Sequence, residues 1–193
     1  AVDYAIIGGH RTYVNSLDVR VLGVAGGSMV RAKKGEIIDV GPRSAHIANM
    51  GYACFTDTAL FEGAELYHMQ PRENDPSDYV AIRLNNGESV TITNTCAANV
   101  LGILAPGDYA CGNVESARKA IGLLAQEVGM SVEDTARAIL QKSTDKIKPV
   151  IEDLIAKYKI ERDQIVLVGA GGGAGTLLTF TANDMGFKYQ IPE

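Results

Sequence analysis

A strand, a glycine-rich loop and a helix follow one another late in the chain, and this stretch has the residue types of a ligand-binding loop. Five of the seven residues at 169–175 are glycines, and they follow the apolar run Val166, Leu167 and Val168. Glycines let the backbone approach a flat or charged ligand, and the first N–H groups of a helix favour an anion. A nucleotide has both a flat base and anionic phosphates, so it suits such a loop. The alternative is a turn that only lets the helix pack tightly on a sheet, but the number of glycines favours a ligand.

The loop fits no common nucleotide fingerprint completely. Gly169, Gly171 and Ala174 match the dinucleotide pattern G-x-G-x-x-A. That pattern requires an acidic residue at the end of the following strand, where this chain has Tyr189 and Gln190. The phosphate-loop pattern G-x-x-x-x-G-K-[ST] does not occur in the sequence. An NAD-linked oxidoreductase is therefore a weaker alternative than another kind of nucleotide-binding protein.

A second glycine cluster, residues 23–29, joins two predicted strands near the start of the chain. Ser28 is not a nucleophile elbow, because G-x-S-x-G would need a glycine where Val30 stands. The cluster fits a turn near a phosphate or substrate and a plain hairpin turn about equally well. In the first case the candidate site residues are Asp18, Gly26, Gly27 and Ser28.

The other reactive residue types form no catalytic or metal-binding pattern. The three histidines are scattered, and the three cysteines include no C-x-x-C pair. An odd number of cysteines without such spacing is typical of a reduced, intracellular protein, so we expect a cytoplasmic location. We assign no nucleophile, no catalytic residue and no metal ligand from these residues.

Composition and charge narrow the classes of partner. Lys and Arg number 18 against 23 Asp and Glu, giving a net charge of −5 that disfavours nucleic acid as the main ligand. No apolar run approaches the roughly 20 residues of a membrane span, so no membrane partner is expected. The 193 residues suffice for one domain with a hydrophobic core.

The elements that position these motifs follow from the residue patterns. The first third predicts strands at residues 19–24, 29–33 and 36–40 between glycine turns. Residues 79–84 and 88–93 alternate around Asn85-Asn86-Gly87 and predict a hairpin, expected at a sheet edge with one solvated face. We expect the segment at about 57–98, with its charged loop at 71–76, to be an insertion carrying this hairpin.

The second half predicts helices followed by an α/β unit. Asn113 is a candidate N-cap for a helix that ends at Gly129. Ser131 and Asp134 form a capping box for a second helix, expected to kink or restart at Pro149 and to continue to about Tyr158. A strand at 164–168, a helix at 176–185 and a strand at 188–191 complete the prediction, and the fold class is α/β.

Several motifs in sequence order resemble the hydantoinase/oxoprolinase family, in its A-type subunit. The similarity extends over most of the chain. The motifs that carry it are the runs at residues 17–28, 40–45, 51–54, 91–94, 100–104 and 133–136, and the closing glycine loop at 168–175.

The resemblance implies a ribonuclease-H-like lobe of the actin-like ATPase fold, with a mixed sheet flanked by helices and an extra β-hairpin insertion. It implies that residues 1–193 are a C-terminal lobe, that ATP and Mg²⁺ serve the complete enzyme, and that the substrate is a small cyclic amide such as a hydantoin or 5-oxoproline. A B-type companion subunit and relatives that carboxylate ketones belong to the same expectation. The adenosine-contacting residues carried over are Gly171, Gly172, Gly173, Ala174 and Gly175.

The sequence departs from the family pattern at two points that bear on its expected activity. Neither of the family's D-x-G-G-T phosphate loops occurs in this sequence, and Asn94 stands where an aspartate is expected. The chain alone is therefore expected to be inactive, with its catalytic residues elsewhere. A non-catalytic module that senses nucleotide or docks a partner subunit is the alternative function.

Overall fold

The computed structural model describes residues 2–192, which form a mixed α/β structure. The strands are β1 (Val2–Ile7), β2 (His10–Leu17), β3 (Ser28–Lys33), β4 (Glu36–Ser44), β5 (Gly51–Tyr52), β6 (Glu65–Met69), β7 (Tyr79–Arg83), β8 (Ser89–Thr91), β9 (Val166–Val168) and β10 (Lys188–Gln190). The helices are α1 (Asn94–Leu101), α2 (Val114–Val128), α3 (Val132–Tyr158) and α4 (Ala174–Met185). Three short 3₁₀ turns lie between these elements.

A six-stranded mixed sheet forms the centre of the described structure. Its strand order is β4-β3-β7-β8-β5, and β6 pairs with β7 as well. The β5–β8 pair is parallel, whereas the other neighbouring strands are antiparallel. A separate unit holds the glycine loop: β9 and β10 are parallel, and α4 is the crossover between them.

One hydrophobic core joins the central sheet to the helices. Val30, Val80 and Ile92 from the sheet region are fully buried against the same cluster that includes Ile121 of α2 and Ile139 of α3. α1 packs on both α2 and α3, and α3 also packs on α4 and β4. The long helix α3 thereby fixes the glycine-loop unit relative to the sheet. Within residues 2–192, no helix combines the length and apolar character that crossing a membrane requires.

The predicted helices are confirmed, with two differences. Asn113 and Ser131 cap α2 and α3 by accepting backbone hydrogen bonds, and Gly129 ends α2 with φ at +71°. α3 is a single helix that continues through Pro149, so no restart occurs there. Helix α1 was not predicted, although Thr93 accepts from the N–H of Cys96 as its N-cap.

The hairpin at residues 79–93 is confirmed, but its expected place at a sheet edge is wrong. β7 pairs with β3, β6 and β8, and four of its five residues are buried. The reason is β6, which pairs along the whole of β7. The residues of β6 do not alternate clearly between apolar and polar types. The sequence pattern therefore did not indicate the strand that pairs with β7 on this side.

The predicted strand at residues 19–24 is also wrong. Val19 and Val21 are 68% and 91% exposed and lie outside the strands. β-rich residues form a strand only where a neighbouring strand and a packing surface receive them. The strand in this region is β2, which forms a hairpin with β1 around Gly8 and Gly9, both at positive φ.

An ion pair ties β3 to the start of β7 and makes stability depend on pH. Arg31 donates from Nε and Nη2 to the two carboxylate oxygens of Asp78, at 2.6 and 3.0 Å. These hydrogen bonds lower the pKa of Asp78. The pair therefore stabilises the fold fully above the unfolded-state pKa of about 4, and this contribution is lost as the pH falls through the lowered folded-state value.

We expect Asp78→Asn to lower the free energy of unfolding by about 2 kcal/mol at neutral pH, because the charge-assisted hydrogen bonds are weakened. Urea denaturation of both proteins between about pH 2.5 and 7 measures the effect. The difference between the two proteins should shrink below about pH 4. A difference that is independent of pH would contradict the assignment.

Candidate nucleotide site

The glycine loop turns the chain from β9 into the uncapped start of α4. Gly171 has φ at +87°, a conformation that L side chains rarely adopt. Gly173 is the N-cap residue and has no side chain to accept a hydrogen bond, while the N–H of Ala174 is bonded to the carbonyl of Gly171 at 3.0 Å. The N-cap residue therefore makes no side-chain hydrogen bond to the first N–H groups of α4, which are the groups that an anion can bind.

The two glycine clusters of the sequence meet at this point. A Cβ on Gly173 would lie 3.3 Å from the N of Gly26, and a Cβ on Gly26 would lie 3.4 Å from the Cα of Gly173. A side chain at either position would press on the other backbone, so glycine at both positions favours this close approach. The structure therefore brings candidate residue Gly26 into contact with the predicted nucleotide loop.

The turn that carries Gly26 is held by buried polar side chains of α1. Thr95 donates to the Gly26 carbonyl from its N–H at 2.9 Å and from its hydroxyl at 3.0 Å. Asn94 is fully buried; its Nδ2 donates to the Ala25 carbonyl at 2.9 Å, and its Oδ1 accepts from Ser143 of α3 at 2.8 Å. Helix α1 thus positions the turn against the glycine loop.

The remaining candidate residues occupy different surroundings. Ser28 is buried, and its hydroxyl accepts the N–H of Ala25 at 2.8 Å. A Cβ on Gly27 would overlap the Tyr52 hydroxyl, so Gly27 makes room for that ring. Asp18 lines a separate cavity beside the β1–β2 hairpin, where the hydrogen bonds from Lys157 and Tyr158, together with Arg20, lower the pKa of its carboxyl.

Three of the cavities in the described part of the chain adjoin the glycine loop. An inner groove of 560 Å³ between the loop and α3 has mainly aliphatic walls, including Ile147, Ile151 and Leu178. An aromatic pocket of 390 Å³ lies against Gly26, Gly27, Gly172 and Gly173 and is walled by Tyr52, Phe55 and Tyr109. An outer pocket of 630 Å³ lies between the loop, the chain end at Ile191 and Pro192, and residues 105–109. These volumes suit small-molecule ligands.

Sequence reasoning missed the segment that separates two of these cavities. Residues 105–109 connect α1 to α2, and Tyr109 is 94% exposed while lining both the aromatic and the outer pocket. The Pro106-Gly107 turn followed by Asp108 and Tyr109 was a readable signal of a loop with chemical function. Its proximity to the glycine loop depends on the packing of α1 and could not be read from local pattern.

The titratable groups of the described residues provide no metal cluster, and the Cys54 thiol is held in its protonated form. No group of three or more His, Cys, Asp or Glu side chains within residues 2–192 has the arrangement of a metal site. Cys54 and Cys96 are buried in the core, and the hydrogen bond between them and burial raise the pKa of the Cys54 thiol. A protonated thiol of this kind is not a nucleophile.

A buried hydroxyl in the first turn of α4 has no partner. Thr176 is fully buried, and its Oγ1 makes no hydrogen bond to any described residue. We expect Thr176→Val to raise the free energy of unfolding by about 1 kcal/mol, because it removes an unsatisfied polar group at nearly constant shape. Urea denaturation measures this change.

Thr181→Val is the matched control on the same helix. The hydroxyls of Thr181 and Thr144 are bonded at 3.0 Å in the core, so removing one leaves the other unsatisfied. Thr181→Val should therefore lower the stability by about 1 kcal/mol. Equal destabilisation by both substitutions would show that the Thr176 hydroxyl does have a partner.

Solved structures that resemble the chain include two ATP-dependent enzymes. The ATP-dependent caprolactamase from Pseudomonas jessenii is 26% identical, with a TM-score of 0.63, and the match covers 99% of this chain and 24% of that chain. A nucleotide-free acetone carboxylase, an enzyme of ATP-dependent acetone carboxylation, is 18% identical, with a TM-score of 0.53, and the match covers 86% of this chain and 20% of that chain. At the lower identity the likeness concerns the fold alone. The chain spans about a fifth to a quarter of the length of these proteins.

The sequence comparisons give the family. No curated protein matches the sequence. The sequence profile described as hydantoinase/oxoprolinase matches residues 2–193, nearly the whole chain. The motifs at the glycine loop and at the Gly26 turn lie inside that match. The chain belongs to the hydantoinase/oxoprolinase family.

Proposed function

We propose that this chain is the nucleotide-binding lobe of a longer, ATP-dependent enzyme that hydrolyses cyclic amides of the hydantoin or 5-oxoproline type. The observation that carries the proposal is the contact between Gly26 and Gly173 at the uncapped start of α4. Family membership and the 26% identity to a caprolactamase that depends on ATP support the choice of reaction. A cytoplasmic enzyme with a companion B-type subunit is part of the same proposal.

The residues of the loop fit a nucleotide. The backbone from Gly171 to Gly175 presents little side-chain bulk, and the first turn of α4 offers N–H groups without a capping side chain. Gly26 and Gly27 lie on the side of the loop that faces the aromatic pocket. Phosphates placed there would meet backbone amides and the positive end of the α4 dipole. Mg²⁺ would be held mainly by the phosphates and water, as is usual for this ion.

The chemistry that needs a nucleotide is the activation of an unreactive amide. Transfer of a phosphoryl group from bound ATP to the amide oxygen would release ADP and make the ring carbon electrophilic. Addition of one water to that carbon and cleavage of its C–N bond would open the ring to an acyl phosphate, which a second water would hydrolyse to the carboxylate and phosphate. The residues of this chain would orient the nucleotide, which lowers the entropic cost of bringing the reactants together. Tyr52, Phe55 and Tyr109 provide flat, largely apolar walls beside the phosphate end, where a small ring could lie.

Nucleotide binding is tested by the melting temperature of the chain with Mg-ATP and, separately, with NAD. Mg-ATP should raise the melting temperature and NAD should not, because only a ligand that prefers the folded state stabilises it. Gly173→Val should abolish the effect, since a side chain there presses on the N of Gly26. Gly122→Ala in α2, where the nearest atom to the new methyl group is 3.9 Å away, is the control that should retain it.

The reaction is tested in the complete protein, with hydantoins, 5-oxoproline and small ketones as substrates. We expect formation of ADP that depends on a cyclic amide, and a ring-opened product. Stabilisation by NAD alone, or ATP turnover that depends only on a ketone and bicarbonate, would contradict the proposed function.

A further inference from the structure

Asp108 places a carboxylate beside the start of α4, inside the outer pocket. A Cβ on Gly175 would overlap this carboxylate, so the two residues are in close contact. Oδ1 of Asp108 accepts the N–H of Ala110 at 2.8 Å. Oδ2 has no hydrogen bond or ion pair with any residue of the described range 2–192, and the residue lines the outer pocket. One carboxylate oxygen is thus available to a ligand.

The charge of Asp108 decides which part of a nucleotide can lie in the outer pocket. A phosphate would be repelled by the carboxylate, whereas neutral hydroxyl groups can donate hydrogen bonds to it. Phosphates are therefore favoured in the neighbouring aromatic pocket, near Gly26 and Gly173, which no carboxylate lines within the described part of the chain. The polarity of the site orients a nucleotide with its sugar toward Asp108.

The other walls of the outer pocket suit the base. Pro106, Tyr109, Ile191 and Pro192 line it, and the exposed Tyr109 ring is free to stack on a flat heterocycle. The volume of 630 Å³ accommodates a nucleoside. Apolar walls and one carboxylate among the described lining residues are the combination that a base with an attached ribose diol requires.

We infer that Asp108 binds the ribose hydroxyls of the nucleotide in the outer pocket and so makes the site selective for ribonucleotides over deoxyribonucleotides. This inference rests on the proposed function, because it needs a nucleotide at the glycine loop. It goes further by assigning the sugar to one named side chain and the base to one of three cavities. The role is one of binding and specificity.

The test is calorimetric measurement of the dissociation constants of Mg-ATP, 2′-deoxy-ATP and 3′-deoxy-ATP for the full chain and its variants. The unmodified chain should bind at least one deoxynucleotide about tenfold more weakly than ATP, as expected for one lost hydrogen bond to a charged group. Asp108→Ala should bind ATP about tenfold more weakly and should lose this discrimination.

Two further variants separate recognition from a structural role. Gly175→Ala keeps the Asp108 charge but displaces the carboxylate, and alanine favours the helix, so discrimination should fall while the fold stays stable. Glu115→Gln removes an exposed carboxylate from the first turn of α2 and should keep the discrimination unchanged. If Asp108→Ala weakens ATP and both deoxynucleotides by one common factor, Asp108 is structural and the inference is wrong. If none of the three nucleotides binds the unmodified chain, the proposed function fails first, and the inference with it.

Discussion

Replacing Asn94 with aspartate is expected to lower the free energy of unfolding by about 3 kcal/mol at neutral pH, although the two side chains have nearly the same shape. Asn94 is fully buried and has two partners of opposite polarity. Its amide nitrogen donates to the Ala25 carbonyl, and its amide oxygen accepts from the Ser143 hydroxyl. A carboxylate could still accept from Ser143, but its second oxygen would face the Ala25 carbonyl, and its charge would be buried without a cation.

The loss of stability in Asn94→Asp should depend on pH, and burial of the carboxyl group determines whether it grows or shrinks as the pH rises. Burial raises the pKa of a carboxyl above the unfolded-state value of about 3.9, because it disfavours the charged form. The protonated acid can donate to the Ala25 carbonyl, so the stability of Asn94→Asp is retained at low pH and lost as the pH rises through the raised folded-state pKa. The deficit relative to the unmodified protein should be small near pH 4 and largest at neutral pH.

Urea denaturation at several pH values measures this effect, and Asn113→Asp is the matched control. Asn113 is exposed and caps α2 through its side-chain oxygen, which accepts from the N–H of Ser116. Aspartate is an equally good N-cap and carries a charge that suits the helix dipole, so this substitution should be neutral or slightly stabilising. If Asn94→Asp were as stable as the unmodified protein at neutral pH, the hydrogen bond to Ala25 would not hold the turn.

Gly41→Ala is expected to lower the free energy of unfolding by about 4 kcal/mol, from a strained backbone and a steric overlap. Gly41 has φ at +78°, and a Cβ there would overlap the carbonyl oxygen of Gly23. Because the clashing atom belongs to the backbone, relief requires movement of the turn at 23–29 that carries Gly26. The substitution should therefore weaken nucleotide binding as well as stability.

Gly35→Ala separates the effect of backbone strain from the effect of steric overlap. Gly35 has φ at +85° in the turn between β3 and β4, with no atom within 4 Å of the new methyl group. The Gly35→Ala protein should lose only about 1 kcal/mol of its free energy of unfolding, from the strained backbone conformation. Its nucleotide binding should be unchanged. Denaturation of both variants in urea is the measurement. Equal losses of stability would show that the contact between Gly41 and Gly23 is unimportant.

The helices of the second half could be predicted because their signals are local. Asn113, Ser131 and Gly129 act through hydrogen bonds to residues a few positions away, so the capping patterns are visible in the sequence. The β1–β2 hairpin was equally readable from Gly8-Gly9 between two β-rich runs, and this signal was not recognised. Gly8-Gly9 is a turn of residues at positive φ, which is the usual basis of a tight hairpin.

The strand errors came from pairings between distant parts of the chain. Val19 and Val21 have the composition of a strand but no neighbouring strand, whereas β6 has weak alternation and pairs along all of β7. Partners of this kind depend on the folded topology rather than on local pattern. The sequence alone could therefore identify strand-forming residues without identifying which of them would be paired.

The same contrast between local signals and distant contacts holds for the candidate site. The loop at residues 169–175 and the turn at 23–29 were identified from their glycines, but their contact was not. That contact depends on Asn94 and Thr95, which hold the turn against α1 through side-chain hydrogen bonds. Asp108 was missed for the same reason, because only the packing of α1 and α2 brings its loop to Gly175.

The central claim is that backbone from two glycine clusters forms one nucleotide cradle, and a crystal structure of the chain with a non-hydrolysable ATP analogue tests it most directly. The account predicts electron density for the nucleotide against Gly171–Gly175, with its phosphates toward Gly26 and its ribose at Asp108. Density for the analogue at a site away from this loop, or a loop closed by neighbouring side chains that leave no room for a base, would contradict it.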